Sequence, residues 1–211
     1  MIDDDFVREQ KLKMIKSACF HDQSLHNWSF DNDNGKCSNI KEAKKYVEEW
    51  SAMFSENIGL LLWGDVGTGK TFFAACIANQ LIENNITVRM TNFSTVLNDL
   101  FKDEDKNKYI SDLVSVELLI VDDLGIERDT PYALEQVFSI VDARYRSNKP
   151  LIVTTNLTLT EIKNPTDVMH KRIYDRVLEM CVPIKFQGNS LRGEIAKSKF
   201  NIAKGLIRGE N

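Results

Sequence analysis

"LLLWGDVGTGKTFFAACIANQ", Leu60 to Gln80, sets an apolar run, a glycine cluster ending in Gly-Lys-Thr and a helix-like apolar segment in one continuous stretch. The cluster matches G-x-x-x-x-G-K-[ST], filled by Gly64, Asp65, Val66, Gly67, Thr68, Gly69, Lys70 and Thr71. Gly64, Gly67 and Gly69 let the chain turn with positive φ and bring backbone N–H groups against phosphate oxygens, where a Cβ would obstruct. Lys70 is placed to reach the β- and γ-phosphates, and the Thr71 hydroxyl can ligate Mg²⁺. The flanks agree with the loop. Ile58 to Trp63 is a short buried-strand pattern, and Thr71 to Ile82 carries apolar residues at helical spacing, so the phosphates would sit on a helix N-terminus.

Working outward, strands and helices alternate. Ile86 to Thr91 ("ITVRMT") reads as a strand, and Ser94 to Val116 as a helical pair broken by the charged "KDEDKNK". "ELLIVDD", Glu117 to Asp123, is the next strand, followed by a helix from Pro131 to Ser147 that opens on Thr130-Pro131, a cap and a first-turn proline. "PLIVTTN" is a further buried strand, about Thr166 to Glu179 a helix, and "CVPIKF" the last strand. Strands apolar throughout and alternating with helices imply a parallel sheet covered on both faces, an α/β/α sandwich. The division expected is a short, partly flexible lead-in over residues 1–57, with one helix at about 40–54, and an ATP-binding domain over 58–211.

At 211 residues, with 43% hydrophobic and 27% charged residues, the chain suits one globular domain with a real core. No apolar run approaches a membrane span, and "MIDDDFVREQ" lacks the charge and apolar stretch of a signal peptide, so the expected place is the cytoplasm with no membrane partner. Cys19, Cys37, Cys76 and Cys181 are widely spread without a C-x-x-C pair, which argues against disulfides. Cys19, His21, His26 and Cys37 together fit no common zinc spacing. A net charge of −4 argues against coating duplex DNA by electrostatics alone. Charge is uneven, however: from Lys171 onward nine basic residues face four acidic ones.

Asp122 ends an apolar strand, where a P-loop protein keeps the carboxylate that holds Mg²⁺, and Asp123 follows as the candidate that orients or deprotonates the attacking water. Asn156 closes "PLIVTTN", and its carboxamide can hydrogen-bond both a γ-phosphate oxygen and the nucleophilic water. Arg176 in "IYDRVLEMC" and Arg192 in "GNSLRGE" are the candidate cations for charge developing on the phosphoryl group.

The ordered set GDVGTGKT, LLIVDDLG, IVTTN, IYDRVLEMC and GNSLR, spread over about Trp28 to Ile207, resembles the AAA+ ATPases of the replicative-helicase loader type, the DnaC/DnaI-like family, related to IstB-type transposition helper ATPases. The resemblance implies a P-loop NTPase of the AAA+, ASCE type with sheet order 5-1-4-3-2. It implies Asn156 as sensor 1, Arg176 as the arginine finger offered to the next subunit's ATP, and Arg192 as sensor 2. It further implies ATP and Mg²⁺ as cofactors and a DNA-replication role, as a primosome component, assembling a hexameric DnaB-like helicase on single-stranded DNA. Self-association through AAA+ interfaces belongs to the same expectation. Two departures stand out. The family usually has glutamate or aspartate after the metal-binding Asp, and the shorter Asp123 of this chain points to weak turnover, while the segment before Trp28 is short for a helicase-docking module.

For DNA contact the helical pair offers Phe101, Lys102, Lys106, Lys108 and Tyr109, charge and stacking faces together, although Asp99, Asp103, Glu104 and Asp105 offset the lysines. Two alternatives share the ATP site: an IstB-type transposition helper, separated only by its partner, and a nucleotide-gated binding module with little turnover. A P-loop kinase would need an acceptor pocket and an arginine-bearing lid, which the order Asn156, Arg176, Arg192 does not suggest.

Overall fold

Alternation along the strands sets the layers. The computed structural model describes residues 4–33, 35, 37, 39–125, 130–188, 190, 193 and 199–204. In chain order its elements are α1 (Asp4–Cys19), α2 (Ile40–Glu48), α3 (Trp50–Ser55), β1 (Gly59–Gly64), α4 (Lys70–Glu83), β2 (Val88–Asn92), α5 (Phe93–Lys102), α6 (Lys106–Ser115), β3 (Leu118–Leu124), α7 (Pro131–Ser147), β4 (Leu151–Thr155), α8 (Leu159–Lys163), α9 (Val168–Met180) and β5 (Cys181–Phe186). Leu60 and Leu62 of β1 join one core and Leu61 the other, because successive strand side chains point to opposite faces. Leu118, Ile120 and Ile152 repeat the first choice, and Leu119, Val121, Leu151 and Val153 the second.

Both faces are therefore buried, as a parallel sheet requires. All five strands run parallel in the order β2-β3-β4-β1-β5, which is the 5-1-4-3-2 order expected, with helices on either side. On the first face α4 lies against the sheet, with α1 and α2 packed over it. This placement explains the composition of α4. Phe73 through Asn79, Leu81 and Ile82 are all buried, leaving no polar stripe, as befits a helix covered all round. The second face carries α5, α6, α7 and α9. Thr130 caps α7 by accepting from the Ala133 N–H at 3.2 Å, with Pro131 in the first turn.

Three features differ from the sequence expectation. The polar start of the chain forms α1, whose Leu12, Ile15 and Cys19 pack at helical spacing against the first core. The single helix expected over 40–54 divides at Glu49 into α2 and α3. A short extra helix, α8, follows β4, started by a reciprocal cap between Thr158 and Glu161. Described residues between α1 and α2 are fixed to β2 and to α4. Phe20 pairs with Met90 beyond the β2 edge, Asn79 of α4 donates to the Leu25 carbonyl at 2.9 Å, and Trp28 packs on Phe72.

All four cysteines are buried free thiols, and burial pushes that of Cys76 up to about 12. Among the described residues no group of three or more His, Cys, Asp or Glu side chains is placed to hold a metal, and no helix is long and apolar enough to cross a membrane.

Candidate nucleotide-binding site

Parallel strands present all their carboxyl ends on one edge, and β4 lies between β1 and β3. The loop after β1, the acidic end of β3 and the residue after β4 must therefore meet, at the kind of edge where open α/β sheets bind ligands. Gly64 leaves β1 at φ 130°, and a Cβ there would stand 2.1 Å from the Phe186 carbonyl oxygen of β5. Gly69, at φ 99°, ends the loop and starts α4. Within the loop Thr68 Oγ1 donates to the Asp65 carbonyl at 2.8 Å.

Lys70 lies in the middle of this edge and is only 6% exposed. Its Nζ donates to the carbonyls of Gly64 and Asp65, both at 2.7 Å, and to Asn156 Oδ1 at 2.9 Å. An ammonium so buried and surrounded by oxygen acceptors is held where an anion can replace them. Thr71 Oγ1 donates to Asp122 at 3.2 Å from Oδ1 and 3.1 Å from Oδ2. Burial pushes the Asp122 carboxyl above the usual carboxylate range. The Thr154 hydroxyl, donating to Oδ1 at 2.5 Å, opposes that shift, neighbouring Asp123 adds to it, and Thr71 and Lys70 oppose it.

Asp123 follows at φ 62°, an uncommon conformation for a residue with a Cβ, and its N–H donates to Thr154 Oγ1 at 2.9 Å. Thr155 Oγ1 then donates to the Leu124 carbonyl at 2.7 Å. Lys70, Thr71, Asp122, Asp123 and Asn156 are thus brought together. Thr154, joined to both aspartates, was not singled out from the sequence. The only signal was a pair of hydroxyls in an otherwise apolar strand.

Arg176 makes its bonds elsewhere. On α9, its Nε donates to Asp142 Oδ1 of α7 at 2.9 Å, its Nη1 to the Arg172 carbonyl at 3.1 Å, and its guanidinium lies 4.8 Å from the ring centre of Phe138 and 5.7 Å from that of Tyr145. Arg192 lies outside the described residues. Of the helical-pair candidates, Phe101 is 81% exposed. Tyr109 instead packs against the second core and donates its hydroxyl to Asp99 at 3.1 Å, while Lys106 sits over the Tyr132 ring.

A parallel 5-1-4-3-2 sheet carrying a glycine loop that ends on Lys70 and Thr71 after β1, and a half-buried carboxylate at the end of β3, defines a P-loop protein of the AAA+ fold class. The family model described as IstB-like ATP binding protein matches residues 7–199, and the chain belongs to that family. It is similar to the replicative helicase loader DnaC of Escherichia coli (strain K12), at 28% identity over 188 residues, 83% of this chain and 74% of that protein. Among solved structures it is similar to the crystal structure of DnaI, with a TM-score of 0.66 at 23% identity over 83% of this chain and 98% of that one. It is also similar to the replication initiator DnaA bound to AMPPCP and single-stranded DNA, with a TM-score of 0.60 at 20% identity over 82% and 54% of the two chains.

Proposed function

We propose that the chain binds ATP with Mg²⁺, hydrolyses it slowly, and uses it to assemble a replicative helicase on single-stranded DNA. The observation that carries the ATP site is the convergence of Lys70, Thr71, Asp122 and Asn156 on one sheet edge. Similarity to the helicase loader DnaC supports the biological role. Residues 1–57 serve as the lead-in and 58–211 as the ATP-binding domain.

The residues fit both groups. Backbone N–H groups of the Gly64–Thr71 loop and the Lys70 ammonium take the phosphates. Thr71 Oγ1 and Asp122, already within 3.2 Å of each other, are two oxygen ligands on neighbouring elements, a fit for a hard cation that keeps several waters. A Mg²⁺ ion held there would neutralise charge on the phosphoryl oxygens. Asp123 orients the attacking water and accepts its proton. Asn156 Oδ1 holds the Lys70 ammonium in register with the loop, and its amide N–H is available to a γ-phosphate oxygen. Arg176 acts on the ATP of a second copy of this chain, and Arg192 on the γ-phosphate. The exposed Phe101 ring with Lys102 offers a stacking and charge contact to single-stranded DNA.

Membership of the IstB-like family favours a second reading, a transposition helper with the same ATP site. ATP hydrolysis measured with and without single-stranded DNA, together with co-purification with a replicative helicase in ATP and in ADP, separates the two. The loader reading requires nucleotide-dependent capture of the helicase. It fails if the helicase is never captured in either nucleotide.

A further inference from the structure

The end of β3 is not a regular strand. Val121 pairs with Val153 and Leu124 with Thr155, so Asp122 and Asp123 together stand opposite Thr154 alone. Two residues facing one is a bulge, the device that re-aims side chains beside active sites. An unbroken strand would send consecutive side chains to opposite faces of the sheet, one of them away from the ATP edge. The bulge breaks that alternation, at the cost of holding Asp123 at φ 62°.

One hydroxyl spans the irregularity. Thr154 is 0% exposed, its Oγ1 donates to Asp122 Oδ1 at 2.5 Å, and the same oxygen accepts the Asp123 N–H at 2.9 Å. A hydroxyl has one proton and two lone pairs. With its proton committed to Asp122, the lone pair facing Asp123 is left to accept, so both bonds set one rotamer. Fully buried, the Thr154 hydroxyl has these two groups rather than solvent as its partners.

We propose that Thr154 is a positioning residue of the ATP site, aligning Asp122 for the metal and Asp123 for the attacking water through a single hydroxyl that joins them. The inference rests on the ATPase reading above for Asp123, and on nucleotide binding alone for Asp122. Thr71 also bonds Asp122, but it stands among the residues that meet the metal. Thr154 is fully buried on the neighbouring strand, away from the open edge where nucleotide would bind.

The test compares Thr154→Val, which keeps the shape and loses the hydroxyl, with Thr154→Ser, which keeps the hydroxyl and loses a methyl. A fluorescent ATP analogue is titrated in Mg²⁺ and in EDTA, steady-state hydrolysis gives kcat and KM, and thermal unfolding reports folding. Thr154→Val should bind in EDTA within about twofold of wild type, lose about tenfold of the affinity gained with Mg²⁺, and lose about tenfold or more in kcat. Thr154→Ser should retain both within about threefold. Should the valine variant fail to fold, Thr154→Ala, which cannot overfill the space, takes its place against the serine variant. Thr154 has no positioning role if the valine or alanine variant matches wild type in the Mg²⁺ gain and in kcat, or if serine loses as much as valine. A wild type without turnover, alone or with helicase and DNA, overturns the hydrolytic reading and the Asp123 half of the proposal, and the Mg²⁺ gain then decides the Asp122 half.

Discussion

Asp122 is held where burial works against its charge. Its pKa in the fold lies above the ordinary value because desolvation outweighs the hydroxyl donors from Thr154 and Thr71. A carboxyl raised in this way contributes stability that is fully present below its unfolded pKa and lost as pH rises through the folded one. At neutral pH, without metal or nucleotide, the charge on Asp122 therefore destabilises the fold. Asp122→Asn, measured in EDTA without nucleotide, should raise thermal stability at pH 7 by about 1 kcal/mol, roughly 2–4 °C for a chain of this size, with the gain shrinking towards pH 4. The same variant should lose Mg²⁺-dependent ATP affinity, and calorimetry beside nucleotide titration checks both halves. An unchanged or lower melting temperature at pH 7 would contradict the desolvation argument. At this scale the loop from Gly64 to Thr71 was legible because its glycines and lysine act over eight consecutive positions, and Asp122 and Asn156 because each ends an apolar run. Thr154 was not, since its partners are 31 and 32 residues away on another strand.

Among the elements, α7 is tied to its surroundings by a buried cation. Arg144 is 0% exposed, and its guanidinium donates to the carbonyls of Val114, Val116 and Glu117 at 2.8 Å each and, through Nε and Nη2, to that of Pro150. One side chain thus joins α7 to the end of α6, the start of β3 and the start of β4. Burial pushes its pKa down to about 10, still well above neutral, so the cation persists. Arg144→Met fills similar space and leaves four carbonyls without their donor, and should cost about 3–5 kcal/mol in denaturant unfolding. Arg144→Lys should recover only part of that, because a single ammonium cannot reach four oxygens in a fork. A loss below about 1 kcal/mol for the methionine variant would show the carbonyls satisfied another way. The sequence places α7 correctly from its cap and first-turn proline but shows nothing of this role, because an arginine within a helical pattern reads as surface. The same bias hid α1, where charged residues outnumber the few apolar positions that pack.

At the scale of the whole molecule, the segment ahead of β1 covers α4, whose outer side would otherwise lie bare. Removing residues 1–28 takes away Phe20 from the β2 edge, Leu25 from the Asn79 amide and Trp28 from Phe72. The shortened chain should be markedly less stable or insoluble, as read by unfolding and light scattering, and a truncation as stable as the full chain would show that cover to be dispensable. Assembly supplies the other prediction. If Arg176 serves a second copy, Arg176→Ala should bind ATP normally and hydrolyse it on the order of a thousandfold more slowly. Lys70→Ala should lose ATP binding, together with the melting shift given by Mg-ATP. Mixing the two inactive proteins, with the helicase or DNA needed for assembly, should restore part of the activity. A mixture that stays inactive where wild type turns over makes Arg176 a structural residue held by Asp142, Phe138 and Tyr145. By itself the sequence determined the glycine loop, the five strands and most of the helices around it, and the order in which the acidic and amide residues follow, because glycine turns, caps and apolar periodicity act between near neighbours. Only the tertiary structure decided that Asn156 meets Lys70, that Thr154 spans two aspartates across a bulge, that Arg176 faces α7, and that α1 closes the first core. Those choices depend on which strand lies beside which and which face each helix buries, a competition among contacts far apart in the chain.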